Sequence, residues 1–328
     1  MSDQPSLITR RTLMGAAGAT AAFALSGQSI VSPAHAGAPM LGASNPSHFR
    51  FKLGGFEITT IADGAVPVPT VSKIFGQDQK PEDVAALMAA NMLPGDKMEI
   101  GFTPVIVNTG KEVVLFDSGN GARRRPKAGN LLSALKGAGF SADQIDVVVI
   151  THMHPDHIGG LMEDGNPAFP NARYVTGETE YNFWSDKKHL EGEMAKRVAL
   201  VHSNVVPLAE KMSFVKPEGE AASGIRAVKA FGHTPGHMAW HIESDGKRFM
   251  LFADACNHYV ASMQRPDWHV KFDMDKEAAG QTRKAILDMA SAEKIPVAGY
   301  HMPFPAVGFV EKKDLGFRWV PVTYQMNL

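Results

Sequence analysis

The sequence predicts an α+β fold in which two mixed sheets pack face to face with helices outside. Three observations predict it. Strand-like and helix-like segments come in two successive groups, each with strands first and helices after. One segment, Asp146–Ile150, is a nearly solid apolar run, as expected of a buried strand. No linker interrupts the chain after its N-terminal stretch, so residues 37–328 read as one domain.

Residues 1–36 read as an export signal and not as fold. Thr9-Arg10-Arg11-Thr12-Leu13-Met14 precedes a mildly apolar, Ala/Gly-rich stretch, and Ala34-His35-Ala36 ends it as a small-x-small cleavage site. The paired arginines resemble a twin-arginine signal, although Leu13, Met14 and Gly15 depart from the favoured pattern. An ordinary secretory signal is the alternative. Gly15, Gly18, Ser26, Gln28 and Ser29 dilute the apolar run, so no stable membrane anchor is expected. The expected location is the periplasm or outside the cell. Cleavage removes Asp3, Arg10 and Arg11 and takes the formal net charge from −1 to −2.

The elements follow in order. Phe49–Leu53 and Phe56–Ile61 flank Gly54-Gly55 and predict a β-hairpin. Residues 81–92 predict a helix. Thr103–Asn108 and Glu112–Phe116 predict a second hairpin about Gly110, and a short amphipathic helix through Leu131–Leu135 ends near Gly137. Residues 178–202 look mostly helical and could cap the site. Ile225–Ala230, Met238–Glu243 and Arg248–Phe252 predict strands, Gln281–Ala290 an amphipathic helix, and Pro296–Tyr300 a last buried strand.

Composition narrows the function classes. At 44% hydrophobic and 20% charged, the chain is globular and not disordered. Acids and bases nearly balance, so the basic surplus of a nucleic-acid binder is missing. The single cysteine, Cys256, excludes an intramolecular disulfide and reads as a packed side chain.

The densest chemical signal is His152-Met153-His154-Pro155-Asp156-His157, directly after the buried strand. His152 and His154 point the same way in extended backbone. Pro155 stiffens the turn, and Gly159-Gly160 permits close backbone approach. Imidazole nitrogens and a carboxylate suit Zn²⁺, Mn²⁺ or Co²⁺.

This run resembles the signature of the metallo-β-lactamase superfamily. The superfamily expects three further elements, and Gly232-His233-Thr234-Pro235-Gly236-His237, Leu251-Phe252-Ala253-Asp254 and Gly299-Tyr300-His301 match in order. The resemblance implies an αβ/βα four-layer sandwich and two divalent metal ions, zinc first, with manganese, cobalt or iron as alternatives. It implies His152, His154 and His237 on one metal, Asp156, His157 and His301 on the other, and Asp254 bridging. His233 is set aside as structural. Asp156 and Asp254 are the candidate catalytic residues, with a hydroxide shared by the metals as nucleophile. A Gly-x-Ser-x-Gly elbow is absent, which agrees with a mechanism that needs no serine.

A finer resemblance is to methyl parathion hydrolases, carried by Leu53–Thr59, Thr151–Met162, Ala168–Ala172, Gly232–His237 and Gly316–Val322. N-acyl homoserine lactone lactonases share the metal set but less of the remainder. The implied substrates are lactones or esters, with organophosphate triesters as a side activity, and the implied assembly is a homodimer. The alternatives are a β-lactamase and a non-catalytic metal-binding protein of the same fold.

Candidate pocket residues are Arg124, Trp184 and Asn257. Trp184 matches the family's pocket tryptophan or is an ordinary helix-face aromatic. Arg123-Arg124-Arg125 stand where methyl parathion hydrolases carry apolar and aromatic residues, and Asn257 where they carry leucine. The arginines are either a solvated loop or a cationic pocket mouth suited to a carboxylate or carbonyl-rich substrate.

Overall fold

The computed structural model describes residues 40, 42 and 44–323, and residues from Asn45 onward form one compact unit. The expected export signal lies outside the described residues. Among the described residues no helix is long and apolar enough to cross a membrane.

Two seven-stranded sheets carry the fold. The first runs, in spatial order, His48–Leu53, Phe56–Ile61, Val105–Asn108, Val113–Phe116, Val147–Ile150, Arg173–Gly177 and Met212–Val215. Its first three pairings are antiparallel, two of them through hairpins, and its last three are parallel. The second runs Glu220–Ala222, Ile225–Lys229, Met238–Ser244, Lys247–Ala253, Val297–Gly299, Val307–Lys313 and Gly316–Pro321, with one parallel pairing, Lys247–Ala253 on Val297–Gly299. Helices cover both outer faces, as expected.

Strand alternation explains the layers. Val147 and Val149 point between the sheets, against a core that includes Trp240, Ile242, Phe249 and Leu251 of the second sheet. Val148 and Ile150, on the other face of the same strand, pack against the outer helices. All four are fully buried, which is why this strand is an unbroken apolar run. Each such side chain contributes about 1.5–3 kcal/mol. On the far face of the second sheet, Ile286, Leu287 and Ala290 of helix Lys276–Glu293 close a third cluster.

Sequence and structure differ in several places; the short strands Gly64–Val68, Met98–Phe102, Arg173–Gly177, Met212–Val215 and Glu220–Ala222 are not marked by the sequence pattern. The helices within 178–202, Glu178–Ser185 and Ala195–Asn204, are chiefly part of the outer layer and not a cap; Trp184, Val198 and Val201 are buried in the core of the first sheet. The terminal hairpin Val307–Lys313 and Gly316–Pro321 went unread, because its exposed Glu311, Lys312 and Lys313 interrupt the apolar alternation.

The site residues all follow the C-terminal ends of strands. Asp117 follows Val113–Phe116, His152 follows Val147–Ile150, Asp254 follows Lys247–Ala253 and His301 follows Val297–Gly299. Met238 N–H donates to Thr151 O at 3.1 Å and ties the two sheets beside the site.

Trp240 is fully buried between the sheets, edge-on to Phe116 at 5.9 Å. Trp240→Ala is expected to cost about 3–5 kcal/mol in urea unfolding, whereas Leu315→Ala, at an 82% exposed position, stays within about 0.5 kcal/mol.

Candidate metal centre

Four loops meet at the edge of the sheets, after Val147–Ile150, Ile225–Lys229, Lys247–Ala253 and Val297–Gly299. The first follows the buried strand: His152–His154 are irregular, and Pro155 opens a single helical turn, Pro155–Ile158. It is clamped from behind. A Cβ on Gly159 would lie 2.2 Å from Asn120 O and one on Gly160 2.1 Å from Ser118 O, so only glycine allows this approach. Asp117 then reaches in. Its carboxylate accepts from Thr151 N–H (2.8 Å), Thr151 Oγ1–H (2.9 Å) and His157 Nδ1–H (2.8 Å).

Side chains converge in two groups that could each hold a metal ion: His152, His154, His233 and Asp254, and Asp156, His157 and His301. Asp254 touches both. Its Oδ2 stands 3.3 Å from His233 Nε2 and 3.1 Å from His301 Nε2, and its Oδ1 3.3 Å from His157 Nε2. Asp156 Oδ2 lies 3.5 Å from His301 Nε2.

The sequence reading is corrected at one histidine. His237 does not join either group. Its Nδ1 donates to Ala230 O (3.0 Å) and its Nε2 accepts from Asp254 N–H (3.1 Å), so both ring nitrogens are spent on backbone. His233 takes its place: Nδ1 donates to Asp273 Oδ1 at 2.8 Å, and Nε2 faces His154 Nδ1 at 2.9 Å. The other six expected residues lie in the two groups.

The donor set fits cations. The Nε2 atoms of His152, His154 and His157 and Oδ1 of Asp254 are buried without a hydrogen-bond partner. A buried polar atom left unsatisfied costs about 1–3 kcal/mol, and Nε2 of His152 and Nε2 of His157, within 3.9 Å and 3.3 Å of the Asp254 carboxylate, are explained by ligation. Imidazole and carboxylate are zinc-type donors. Electrostatics sorts the imidazoles. Burial, then the neighbouring His157, holds His152 well below the usual histidine range. Burial also opposes the charge on His157, yet Asp254, Asp117 and Asp156 outweigh it and raise its pKa. His233, buried but hydrogen-bonded to Asp254 and Asp273, rises to about 9, while burial and the charge of His233 lower His237 to about 3.

Four buried charged side chains missed in the sequence position these groups. Asp273 orients His233 and is itself gripped by Arg283, whose Nη2–H donates to Asp273 Oδ2 at 2.7 Å. Glu180 accepts from Met153 N–H, Trp184 Nε1–H, Thr234 Oγ1–H and Gly236 N–H, all within 2.9 Å, and so pins two ligand loops with one carboxylate. Asp63 gathers Asn120, Gly129 and Leu131 N–H donors and fixes the loop that carries Arg124. Two of these left a trace. Arg283 stands on the apolar stripe Ala279, Ile286, Leu287 and Ala290, and Glu180 lies one turn before the buried Trp184. A charge on a buried stripe requires a partner.

The donor groups floor a cavity of about 250 Å³ walled by Val66, Ile74, Phe75, Ile100, Phe102 and Phe272. Arg124 and Asn257 line it as expected, and Arg197, unread in the sequence, joins them. Asn257 has a second task, donating from Nδ2 to Asp254 Oδ2 at 3.0 Å. Trp184 is corrected: fully buried, it stands edge-on to His154 at 6.0 Å and is not part of the wall.

Comparison with known proteins agrees with this geometry. The model of the metallo-beta-lactamase superfamily matches residues 103–294. The N-acyl homoserine lactonase AiiA of Bacillus thuringiensis subsp. kurstaki is 27% identical over 164 residues, which is 50% of this chain and 58% of the lactonase. An atrochrysone carboxyl ACP thioesterase of Aspergillus fumigatus is 24% identical over 58% of this chain and 39% of its own. Among solved structures, AidC, a dizinc quorum-quenching lactonase in complex with a product, superposes with TM-score 0.80 at 26% identity, covering 85% of this chain and 98% of that one. The hydrolase AbOPH superposes with TM-score 0.79 at 24% identity over 86% and 99%, a likeness of fold.

Two outcomes follow for metal binding. Asp273→Asn is expected to weaken zinc affinity about 10–100-fold, read by competition with a chromophoric chelator. His233→Ala is expected to lose one tight metal equivalent, while His237→Gln keeps both; the opposite pattern would return His237 to the ligand set.

Proposed function

Because the chain belongs to the metallo-beta-lactamase superfamily, we propose that it is a two-metal hydrolase acting on lactones or esters. One observation carries the reading: Asp254 bridges two donor groups at the floor of a largely apolar cavity, with their buried lone pairs otherwise unmatched. His152, His154, His233 and Asp254 would hold one cation, and Asp156, His157 and His301, with Asp254 beside them, the other. The AidC and AiiA likenesses support lactones as the substrate class.

Bound divalent cations supply Lewis-acid polarisation of a carbonyl oxygen and acidify water. The protein's own groups do the rest. Asp117 and Asp273 fix ring orientation and leave the far nitrogen of His157 and His233 as a lone pair. Asn257 keeps the Asp254 carboxylate turned toward both groups. Asp156 borders the cavity with 17% of its side chain exposed. It is placed to take a proton from the attacking water or return one to the leaving oxygen. Tyr300 donates from its hydroxyl to Asp156 O at 2.6 Å and packs on the His157 ring, holding that turn in place. Phe102, Ile100 and Val66 keep the acyl portion dry.

Metal analysis combined with a rate panel of γ- and δ-lactones, aryl esters, penicillin and methyl paraoxon tests the reading. Two metal equivalents with lactones or esters turned over fastest is the expected result. Penicillin preferred over lactones would make it a β-lactamase. Methyl paraoxon first would make it a phosphotriesterase, in line with the methyl parathion hydrolase resemblance. His152→Ala and Asp254→Ala are each expected to lower every rate by more than about 100-fold, beyond the cost of losing a ligand's hydrogen-bond partner. Periplasmic location is proposed on the reading of residues 1–36 alone, and Arg10→Lys with Arg11→Lys is expected to leave the protein in the cytoplasm on fractionation.

A further inference from the structure

Two guanidinium groups border the cavity without a partner of opposite charge. Among the described residues Arg125, Arg173, Arg248, Arg283 and Arg318 each meet a carboxylate. No carboxylate of the described residues lies within ion-pair distance of Arg124 or Arg197, and both line the cavity that holds Asp156 and Asp254.

Neither is a loose surface charge. Arg124 ends the short turn Ala122–Arg124, whose start at Gly121 is so close to Gly159 that a Cβ there would lie 2.1 Å from Gly159 O. Its carbonyl accepts from Lys127 N–H (3.1 Å) and Ala128 N–H (3.2 Å), and its guanidinium lies over the Phe102 ring at 5.2 Å. Phe102 in turn stands edge-on to His301 at 5.5 Å, which puts Arg124 on the His301 side. Arg197 belongs to helix Ala195–Asn204. That helix is bolted to the ligand loop by Asn204 Nδ2–H donating to Ile158 O (3.1 Å) and Gly159 O (3.2 Å). His154 and Arg197 line the same cavity.

We infer that the substrate carries, besides its scissile ester or lactone, a carboxylate held by Arg124 and Arg197, on an otherwise apolar body. The inference rests on the two-metal hydrolase reading. The physical argument is one of charge. Two guanidinium groups lining the same cavity as a cation-holding floor add positive charge to it, and an arriving anion relieves that charge. Arginine's fork suits a carboxylate, and the low dielectric of a wall made of Val66, Ile74, Phe75 and Phe272 strengthens the pairing. A neutral acyl chain would leave both charges uncompensated.

The test uses metal-loaded protein and matched acids: succinate against butyrate, glutarate against valerate, and adipate against caproate, titrated by calorimetry. The 4-nitrophenyl monoesters of the same acids are assayed in parallel. At least one diacid is expected to bind about tenfold more tightly than its monoacid, with a matching ratio in kcat/KM. The double variant R124M/R197M is expected to bring both ratios near one, and R124K/R197K to retain part of them, since lysine keeps charge but not the fork. Equal binding across all pairs, or a preference that survives in the methionine variant, would overturn the inference. A diacid preference in calorimetry with no ester turnover would uphold the anion site and sink the hydrolase reading; brisk turnover with no preference would do the reverse.

Discussion

Asp254 brings one carboxylate against imidazoles that arrive from both sheets, and the surrounding architecture answers to that meeting. His152, His154, Asp156 and His157 come from the first sheet and His233, Asp254 and His301 from the second. Lone pairs of this number cannot be buried together at one point on their own terms; they need positive charge between them. The sheets must therefore dock with their strand ends aligned. The Thr151–Met238 backbone bond and the shared apolar core supply that alignment.

The cost of convergence is met by buried carboxylates placed behind the donors. Asp117, Asp273 and Glu180 each accept two or more hydrogen bonds; Asp117 and Asp273 each fix one stretch of ligand-bearing loop, and Glu180 fixes two. Backbone strain gathers at the same place. Asp117 and Ala253 have φ of 61° and 45°, in the left-handed region that side chains disfavour. Such residues cost about 1–3 kcal/mol each. Ala253 turns the strand end so that Asp254 N–H meets His237 Nε2, which is the reason His237 is structural.

Much of this was legible in the residues. Periodicity located the two hairpins, the unbroken apolar strand Val147–Ile150 and helix Lys276–Glu293, because each has at least one uniformly apolar face. Six of the seven expected ligand residues converge because their motifs follow strands directly, so the strand fixes their position. The choice between His233 and His237 was not legible. Both sit in one glycine-rich turn, and which ring faces inward depends on Ala230 O and Asp273, distant or unmarked in the chain. Arg197 was invisible for a related reason: its role comes from helix Ala195–Asn204 lying against Ile158 and Gly159, a tertiary contact that no local pattern announces. Trp184 reads as a wall residue only through its match to the family's pocket tryptophan; the buried Glu180 one turn earlier turns it inward.

The division of donors between the sheets has a consequence for assembly of the chain. The first half folded alone carries two imidazoles of the first group and an aspartate and imidazole of the second; the bridging carboxylate belongs to the other half. Neither half can therefore form a complete coordination sphere. Tight capture of metal would report that the two sheets have met in register, and bound ions would act as rivets across a seam that the Thr151–Met238 bond and the shared apolar core already align. Metal loading and the docking of the two sheets would in this sense reinforce one another.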